Sequence, residues 1–332
     1  MTERIQLLSL SGGGYRGLYT TGVLVELEKA AGRPIGQCFE LIAGTSIGGI
    51  LALAVAFEVT METVADTFEA AGLRIFPDRP SKGRLTKYRN LISDYRRPQF
   101  DAGPLQEVIE ALIGKETLLG DAKHPLLIPS VNLTEGRPQV FKTRHYDGAH
   151  RDWQLKAVEI GLATSAAPTF FPPARIGNCL YADGGLFANS PDLAALHEAT
   201  HFLGKPQADC WLMSVGTTTT KYSVADDPAH SYGIGFWVAD EQRRLPNVII
   251  SAQQQFAEQI ASHDLADRYI KIETAPSHEQ AMQLGLAKAG PIATSTLLGL
   301  GHKAGTDALG LDAAMAFLRH TAADLLLPKK TA

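Results

Sequence analysis

The stretch that most constrains this chain runs from Phe39 to Phe57, FELIAGTSIGGILALAVAF. Phe39, Leu41, Ile42 and Ala43 form an apolar run short enough for a buried strand, and Gly44-Thr45-Ser46-Ile47-Gly48 follows at once. Ile50 to Phe57 is then rich in Ala and Leu, the composition of a buried helix. A strand, a five-residue turn with small residues on both sides of a serine, and a helix are the sequence form of a nucleophile elbow. Side chains at Gly44 or Gly48 would collide with the crossing backbone, so the turn pushes Ser46 outward at the start of the helix. The same helix end carries unpaired amides and a partial positive charge, which favour an oxyanion beside Ser46. Taken alone, the pattern is equally compatible with a Gly-lined turn that only lets a helix pack on a sheet.

The first strand-like run, Ile5 to Leu10, leads into Ser11-Gly12-Gly13-Gly14-Tyr15-Arg16-Gly17 and then a helical pattern carrying Leu18, Val23, Leu24 and Leu27. Successive glycines let backbone amides point into one concavity, which makes this loop an anion site. A phosphate-binding P-loop needs a Lys after the glycines, and none is present. A dinucleotide fingerprint needs an acidic residue about 20 positions on, whereas Glu26 and Glu28 come too early. An oxyanion hole fits better, because the serine turn arrives one strand later and a βαβ unit brings both loops to one sheet edge.

Further along, Thr60 to Leu73 reads as a helix with Met61, Val64, Phe68 and Leu73 inward. Arg74 to Arg97 then places eight basic residues in 24 positions, opposed only by Asp78 and Asp94. This segment is either a solvated face or a surface for phosphates. A helix is predicted from Pro104, strands over Leu126–Val131 and Gln139–Thr143, and a helix over Leu155–Thr164. Ser165 to Pro173 runs small residues into two aromatics and two prolines, the makings of a rigid apolar wall. A short strand, Cys179 to Ala182, delivers Asp183-Gly184-Gly185, and Asn189-Ser190-Pro191 opens the next helix. Asp followed by two glycines is by itself a common turn. Here it is the third feature predicted to end a strand, where an open α/β sheet places its ligand site. Beyond a strand closing at Met213 to Thr217, the pattern predicts helices over 245–260 and 308–320 and a strand over Tyr269–Glu273.

Gly12-Gly-Gly-Tyr-Arg-Gly17, Gly44-Thr-Ser-Ile-Gly48, Ser165-Ala-Ala-Pro168 and Asp183-Gly-Gly185, in that order, resemble the patatin-like phospholipase family. The resemblance implies an α/β chain with a three-layer α/β/α fold, a mostly parallel central sheet and a serine nucleophile elbow. It implies a lipid acyl hydrolase working through a Ser-Asp dyad, with Ser46 as nucleophile, Asp183 as its partner, and Gly12, Gly13, Gly14 and Arg16 as the oxyanion loop. Gly44, Gly48, Gly184 and Gly185 would shape the two turns. A broader likeness, including Gly235-Phe-Trp-Val238, Ile249-Ile-Ser-Ala252 and Tyr269-Ile-Lys-Ile-Glu273, is similar to the cyclic-nucleotide-activated phospholipases of bacterial antiphage signalling. That likeness implies a cyclic di- or trinucleotide as allosteric activator, homo-oligomers on activation, and peripheral contact with membrane phospholipids. The organisation expected is a catalytic core over 1–220 with a C-terminal extension of strand and helices, 221–332, packed on the same domain.

A carboxylate can take the serine proton without an intervening imidazole, but at its reference pKa of ~3.9 it is a weak base, so burial should raise Asp183. A Ser-His-Asp triad is the mechanistic rival, with His197, His201 and His263 following the acid. His197 and His201, four apart, lack the Glu of a zinc-protease helix, so no metal or other cofactor is expected. Two functional alternatives stand beside the regulated hydrolase: an unregulated patatin-type lipase, and a nucleotide-sensing scaffold with a vestigial site. A net charge of −4 gives no general attraction to DNA or RNA. Cys38, Cys179 and Cys210 are not spaced as metal ligands, and the N-terminus lacks a signal-peptide pattern, so the chain is expected in the cytoplasm, acting at the inner membrane surface. The longest apolar run is broken by glycines and too short to span a bilayer.

Overall fold

Alternate residues of the central strands feed two separate apolar layers. In β1 (Ile5–Leu10), Ile5 and Leu7 join one cluster while Leu8 and Leu10 join the other. β2 (Leu41–Gly44) repeats the pattern, with Leu41 and Ala43 on one face and Ile42 on the opposite one. Period-2 alternation between two buried faces requires cover on both sides, so the sheet is the middle of three layers. The structure, a computed structural model, describes residues 4–78, 97–149, 151–218, 222–224, 226–227, 231–237 and 244–328.

The remaining strands are β3 (Leu126–Asn132), β4 (Arg137–Lys142), β5 (Ala174–Ile176), β6 (Cys179–Asp183), β7 (Cys210–Val215) and β8 (Tyr269–Ile272). They order as β5-β6-β3-β2-β1-β7-β8, with β4 paired to β3. The pairs β3–β2, β2–β1, β1–β7 and β7–β8 are parallel, whereas β3–β4, β3–β6 and β5–β6 are antiparallel. Helices are α1 (Gly17–Ala31), α2 (Ile47–Ala56), α3 (Met61–Ile75), α4 (Gly103–Ile113), α5 (Ala157–Ser165), α6 (Gly185–Ala188), α7 (Asp192–His197), α8 (Ile234–Trp237), α9 (Arg244–Leu265), α10 (His278–Gln283), α11 (Pro291–Leu309) and α12 (Asp312–Arg319). The larger core packs α1 to α5, α11 and α12 on one face; α7 and the end of α9 cover Ile5, Leu7, Leu41, Leu127 and Leu212 on the other.

β3 brings the site together. Its edge toward β4 is occupied from Leu127 to Asn132. The other edge is shared: β2 pairs with Leu126 and Leu127, and β6 pairs with Ser130 to Asn132. β2 runs parallel to β3 and β6 antiparallel, so their C-terminal ends point at each other along one edge. The sequence placed Asp183 at the end of a strand and left that strand's direction open. It does end a strand; that strand runs the opposite way to β3, and only this reversal aims Asp183 at the end of β2.

The C-terminal region departs from the sequence reading. The pattern put a single helix over 308–320, whereas the chain forms α11 from Pro291 to Leu309 and α12 from Asp312 to Arg319. Glycine is a poor helix former, yet Gly299, Gly301 and Gly305 all fall within α11. In the fold, Gly301 and Gly305 let α11 lie directly on α1: a Cβ on Gly301 would sit 2.3 Å from the Tyr19 carbonyl oxygen, and one on Gly305 2.7 Å from Glu26 Cβ. Close packing offsets the poor helix propensity. β5 was likewise missed, directly after the proline-rich connector, and Leu73, expected inward, is exposed near the end of α3.

Most of the basic stretch, including Arg79, Lys82, Arg84, Lys87, Arg89 and Arg96, lies outside the described residues, as does Val238. Arg74, in the last turn of α3, pairs with Glu107 of α4. Gly301→Leu should separate α1 from α11 and destabilise the chain by roughly 1–3 kcal/mol or more. Urea unfolding followed by circular dichroism would register this as a lower midpoint.

Candidate active site

Ser46 stands between β2 and α2 with φ 57° and ψ −128°, a conformation that costs an L-residue of order 1–3 kcal/mol. Surrounding bonds hold it there. The Ser46 amide donates to Thr164 Oγ1 at 3.0 Å, and that hydroxyl donates to the Pro129 carbonyl at 2.6 Å. The Thr45 amide donates to the Leu10 carbonyl, and the Thr45 hydroxyl to the Ala188 carbonyl at 2.6 Å. The two glycines are sterically required. A Cβ on Gly44 would sit 2.1 Å from the Gly48 carbonyl oxygen, and one on Gly48 would sit 2.2 Å from that of Leu10.

The Ser46 hydroxyl donates to Asp183 Oδ2 at 2.7 Å, and both side chains are buried. The other carboxylate oxygen, Oδ1, accepts the Gly185 amide at 2.7 Å. The Asp183 and Gly184 amides donate to the carbonyls of Ala166 and Thr164, so the end of α5 and the segment after it clamp this turn. Gly184 packs where a Cβ would sit 2.3 Å from the Pro129 carbonyl oxygen. Burial pushes the Asp183 carboxyl up to about 6, against the opposing hydrogen bonds from Ser46 and Gly185. A carboxylate so placed is a usable base near neutral pH.

The glycine loop closes the third side. A Cβ on Gly12 would lie 3.2 Å from Ser46 Cβ, so the loop and the serine are in contact. The Gly12 amide donates to the Asn189 carbonyl at 2.9 Å. Its carbonyl accepts from Asn189 Nδ2 and from the Thr217 hydroxyl. Gly12 thus anchors the expected oxyanion loop through both its amide and its carbonyl. Among the described residues the amides of Gly13 and Gly14 have no acceptor. Gly14 has φ +57°, and the next amide, that of Tyr15, donates to the Leu286 carbonyl at 2.8 Å. The half-buried Arg16 directs Nε at the Gly13 carbonyl at 3.5 Å; burial lowers its pKa and Glu273 opposes that shift. Arg16 braces the loop from behind.

A cavity of about 550 Å³ opens over Ser46 and Asp183. Phe68, Phe76, Leu105, Phe170 and Phe171 form an apolar wall, and Phe76, Phe100 and Phe171 meet ring to ring at 5.2–5.9 Å. The small-then-aromatic segment after α5 is thus a wall of the cavity, as its sequence suggested. Pro246 and Ile250 of α9 and Leu286 also line it. Among the described residues no histidine lines the cavity, and none of them forms a group of three or more potential metal ligands. His197 and His201 stack ring on ring at 5.0 Å instead.

Sequence reasoning missed Thr164, Asn189 as a loop anchor, Thr217 and Leu286. Each acts through hydrogen bonds between elements remote in the chain, and no local pattern marks that role.

An elbow serine bonded to a buried carboxylate, beside free amides and an apolar cavity, defines a serine hydrolase of the α/β class. Residues 8–196 match the family model described as patatin-like phospholipase. The chain belongs to the patatin-like phospholipase family, hydrolases with a serine nucleophile. It is 38% identical to a Pseudomonas aeruginosa protein named cGAMP-activated phospholipase, over 95% of this chain and 92% of that one. A Vibrio cholerae protein of the same name is 34% identical, over 95% and 94% of the two chains. Rat calcium-independent phospholipase A2-gamma is 26% identical, over 75% of this chain and 32% of its own length.

Because the folded-state pKa of Asp183 is raised, its ionisation subtracts stability as pH rises from near 4 through about 6. Asp183→Asn is expected to melt higher than the parent above pH 6, by up to roughly 3 kcal/mol, with the difference vanishing near pH 4. Thermal melts across pH would measure it.

Proposed function

We propose that this chain cleaves acyl esters of membrane phospholipids through a Ser46–Asp183 dyad and an acyl-enzyme. The observation that carries the reading is the 2.7 Å hydrogen bond from the strained Ser46 to buried Asp183 at the floor of an apolar cavity. Ionised Asp183 takes the Ser46 proton as Oγ attacks the ester carbonyl. The tetrahedral oxyanion is held by the Gly13 and Gly14 amides at the start of the helical run. Protonated Asp183 then returns its proton to the leaving lysophospholipid alcohol as the carbon–oxygen bond breaks. Water, deprotonated by the same carboxylate, attacks the acyl-enzyme and releases the fatty acid and Ser46.

The reading extends to control. The relatives named cGAMP-activated phospholipase align along nearly their whole length, which supports a cyclic dinucleotide as activator here and a place in bacterial antiphage signalling. Assembly into homo-oligomers on activation belongs to the same proposal. Peripheral access to lipid from the cytoplasmic side is part of the same proposal; no described helix is long and apolar enough to cross a membrane. The domain reading also stands as a proposal: residues up to 220 carry the chemistry and the extension is packed on the same unit. It is supported by β8 joining the central sheet and by α9 lining the cavity.

Fluorogenic phospholipid in vesicles, incubated with the full chain and a panel of cyclic nucleotides, tests both parts. Hydrolysis is expected only with cGAMP or a related cyclic di- or trinucleotide; constitutive hydrolysis would leave an unregulated lipase. Ser46→Ala and Asp183→Asn should each lose at least about a hundredfold in turnover while remaining folded. In the parent, kcat/KM should fall with one proton below pH of about 6, as Asp183 is protonated. No hydrolysis under any nucleotide, with nucleotide binding intact, would favour the vestigial-site scaffold.

A further inference from the structure

Gln253, Gln254 and Gln255 follow one another on α9 and, about 100° apart around the helix, take three different tasks. Gln255 bonds back to Ser251 on its own helix. The other two reach into the active site from outside it.

Gln253 Nε2 donates to the Gly185 carbonyl at 3.0 Å, and Gly185 is the residue whose amide donates to Asp183 Oδ1. Gln254 is buried and bonded at both ends of its amide. Its Nε2 donates to Glu258 Oε1 at 3.0 Å, and its Oε1 accepts from Asn189 Nδ2 at 2.9 Å. Asn189 Nδ2 also donates to the Gly12 carbonyl, and the Asn189 carbonyl accepts the Gly12 amide. The direction of this relay is set at its far end. Lys271 Nζ donates to Glu258 Oε1 at 2.5 Å, which leaves the carboxylate only as an acceptor and so turns the Gln254 NH2 toward it. The amide oxygen is then left facing Asn189. A buried polar chain in which every member is satisfied holds one geometry, because each broken link leaves an unpaired group.

We infer that Gln253 and Gln254 are positioning residues for hydrolysis, one holding the Asp183 turn and the other the glycine loop, so that α9 sets the dyad and the oxyanion amides together. The inference rests on the proposed Ser46–Asp183 chemistry. Two neighbouring side chains on one helix grip the two halves of the site, which come from residues 183–185 and 12–14. Neither glutamine needs to touch the reacting atoms. A shift of α9 by a fraction of an ångström would move both halves, and misplacement on the scale of 1 Å can cost of order a hundredfold in rate.

The test uses the full chain, p-nitrophenyl butyrate as a soluble ester, and assays with and without cGAMP. Gln254→Met keeps the volume and deletes both hydrogen bonds. Its kcat should fall roughly tenfold to a hundredfold with KM within about twofold of the parent. Gln253→Met frees the Gly185 turn, so Asp183 loses part of the amide bond that favours its ionised form. Its kcat should drop and the acidic limb of its pH profile should move to higher pH. Gln253 is only half-buried, so its variant folds even where the Gln254 variant does not. Folded variants with parental kcat and an unmoved pH limb would overturn the inference, as would a lowered melting temperature with unchanged kinetics. Ser46→Ala separates the two layers: if it retains turnover, the dyad assignment falls, whereas its loss beside normal glutamine variants condemns only the role of α9.

Discussion

The hydrogen bond from Ser46 to Asp183 depends on two strands meeting end to end along one edge of β3. β2 climbs that edge and stops at Gly44; β6 descends it and stops at Asp183. A strand's direction is fixed by its backbone pairing, so the distance between hydroxyl and carboxylate follows from sheet register and not from the flexibility of either side chain. Most of the remaining structure keeps that register. β4 covers the opposite edge of β3, Thr164 of α5 bonds both turns while Ala166 just after it bonds the Asp183 turn, and the two apolar layers hold the sheet between helices.

The site stores unfavourable terms that the fold offsets. Ser46 sits at a positive φ, and Asp183 is buried far enough for its carboxyl to resist ionisation. Both features serve a serine nucleophile with a carboxylate base: the first exposes Oγ above the sheet, and the second raises basicity toward neutral pH. Neither would survive on a loose loop. Hydrogen bonds to Leu10, Ala188, Thr164 and Ala166 hold the two turns in place.

The C-terminal third is as much a part of this site as the motifs. α11 lies on α1 through glycines, the Leu286 carbonyl fixes the amide after Gly14, and α9 both lines the cavity and reaches the dyad turn and the glycine loop. In the sequence these segments looked like packing elements, because no short pattern marks a helix whose side chains act by single hydrogen bonds across the molecule. The pattern put no helix over 291–307, and local propensity registers the entropy cost of glycine but is blind to the neighbour that Gly301 and Gly305 admit.

The sequence by itself determined the elements with strong local signatures. The two buried strands, the glycine loop, the serine elbow and the Asp-Gly-Gly turn were legible because tight turns and buried strands restrict residue type at adjacent positions. Ser46 and Asp183 were legible as a pair only through the order of four motifs. Tertiary structure alone decided that β6 runs against β3, that Gly12 spends its amide on Asn189 and leaves Gly13 and Gly14 free, and that α11 packs through glycine. Those outcomes depend on contacts between residues about 50 to about 280 positions apart, and at such separations no local pattern records which partner the fold will supply.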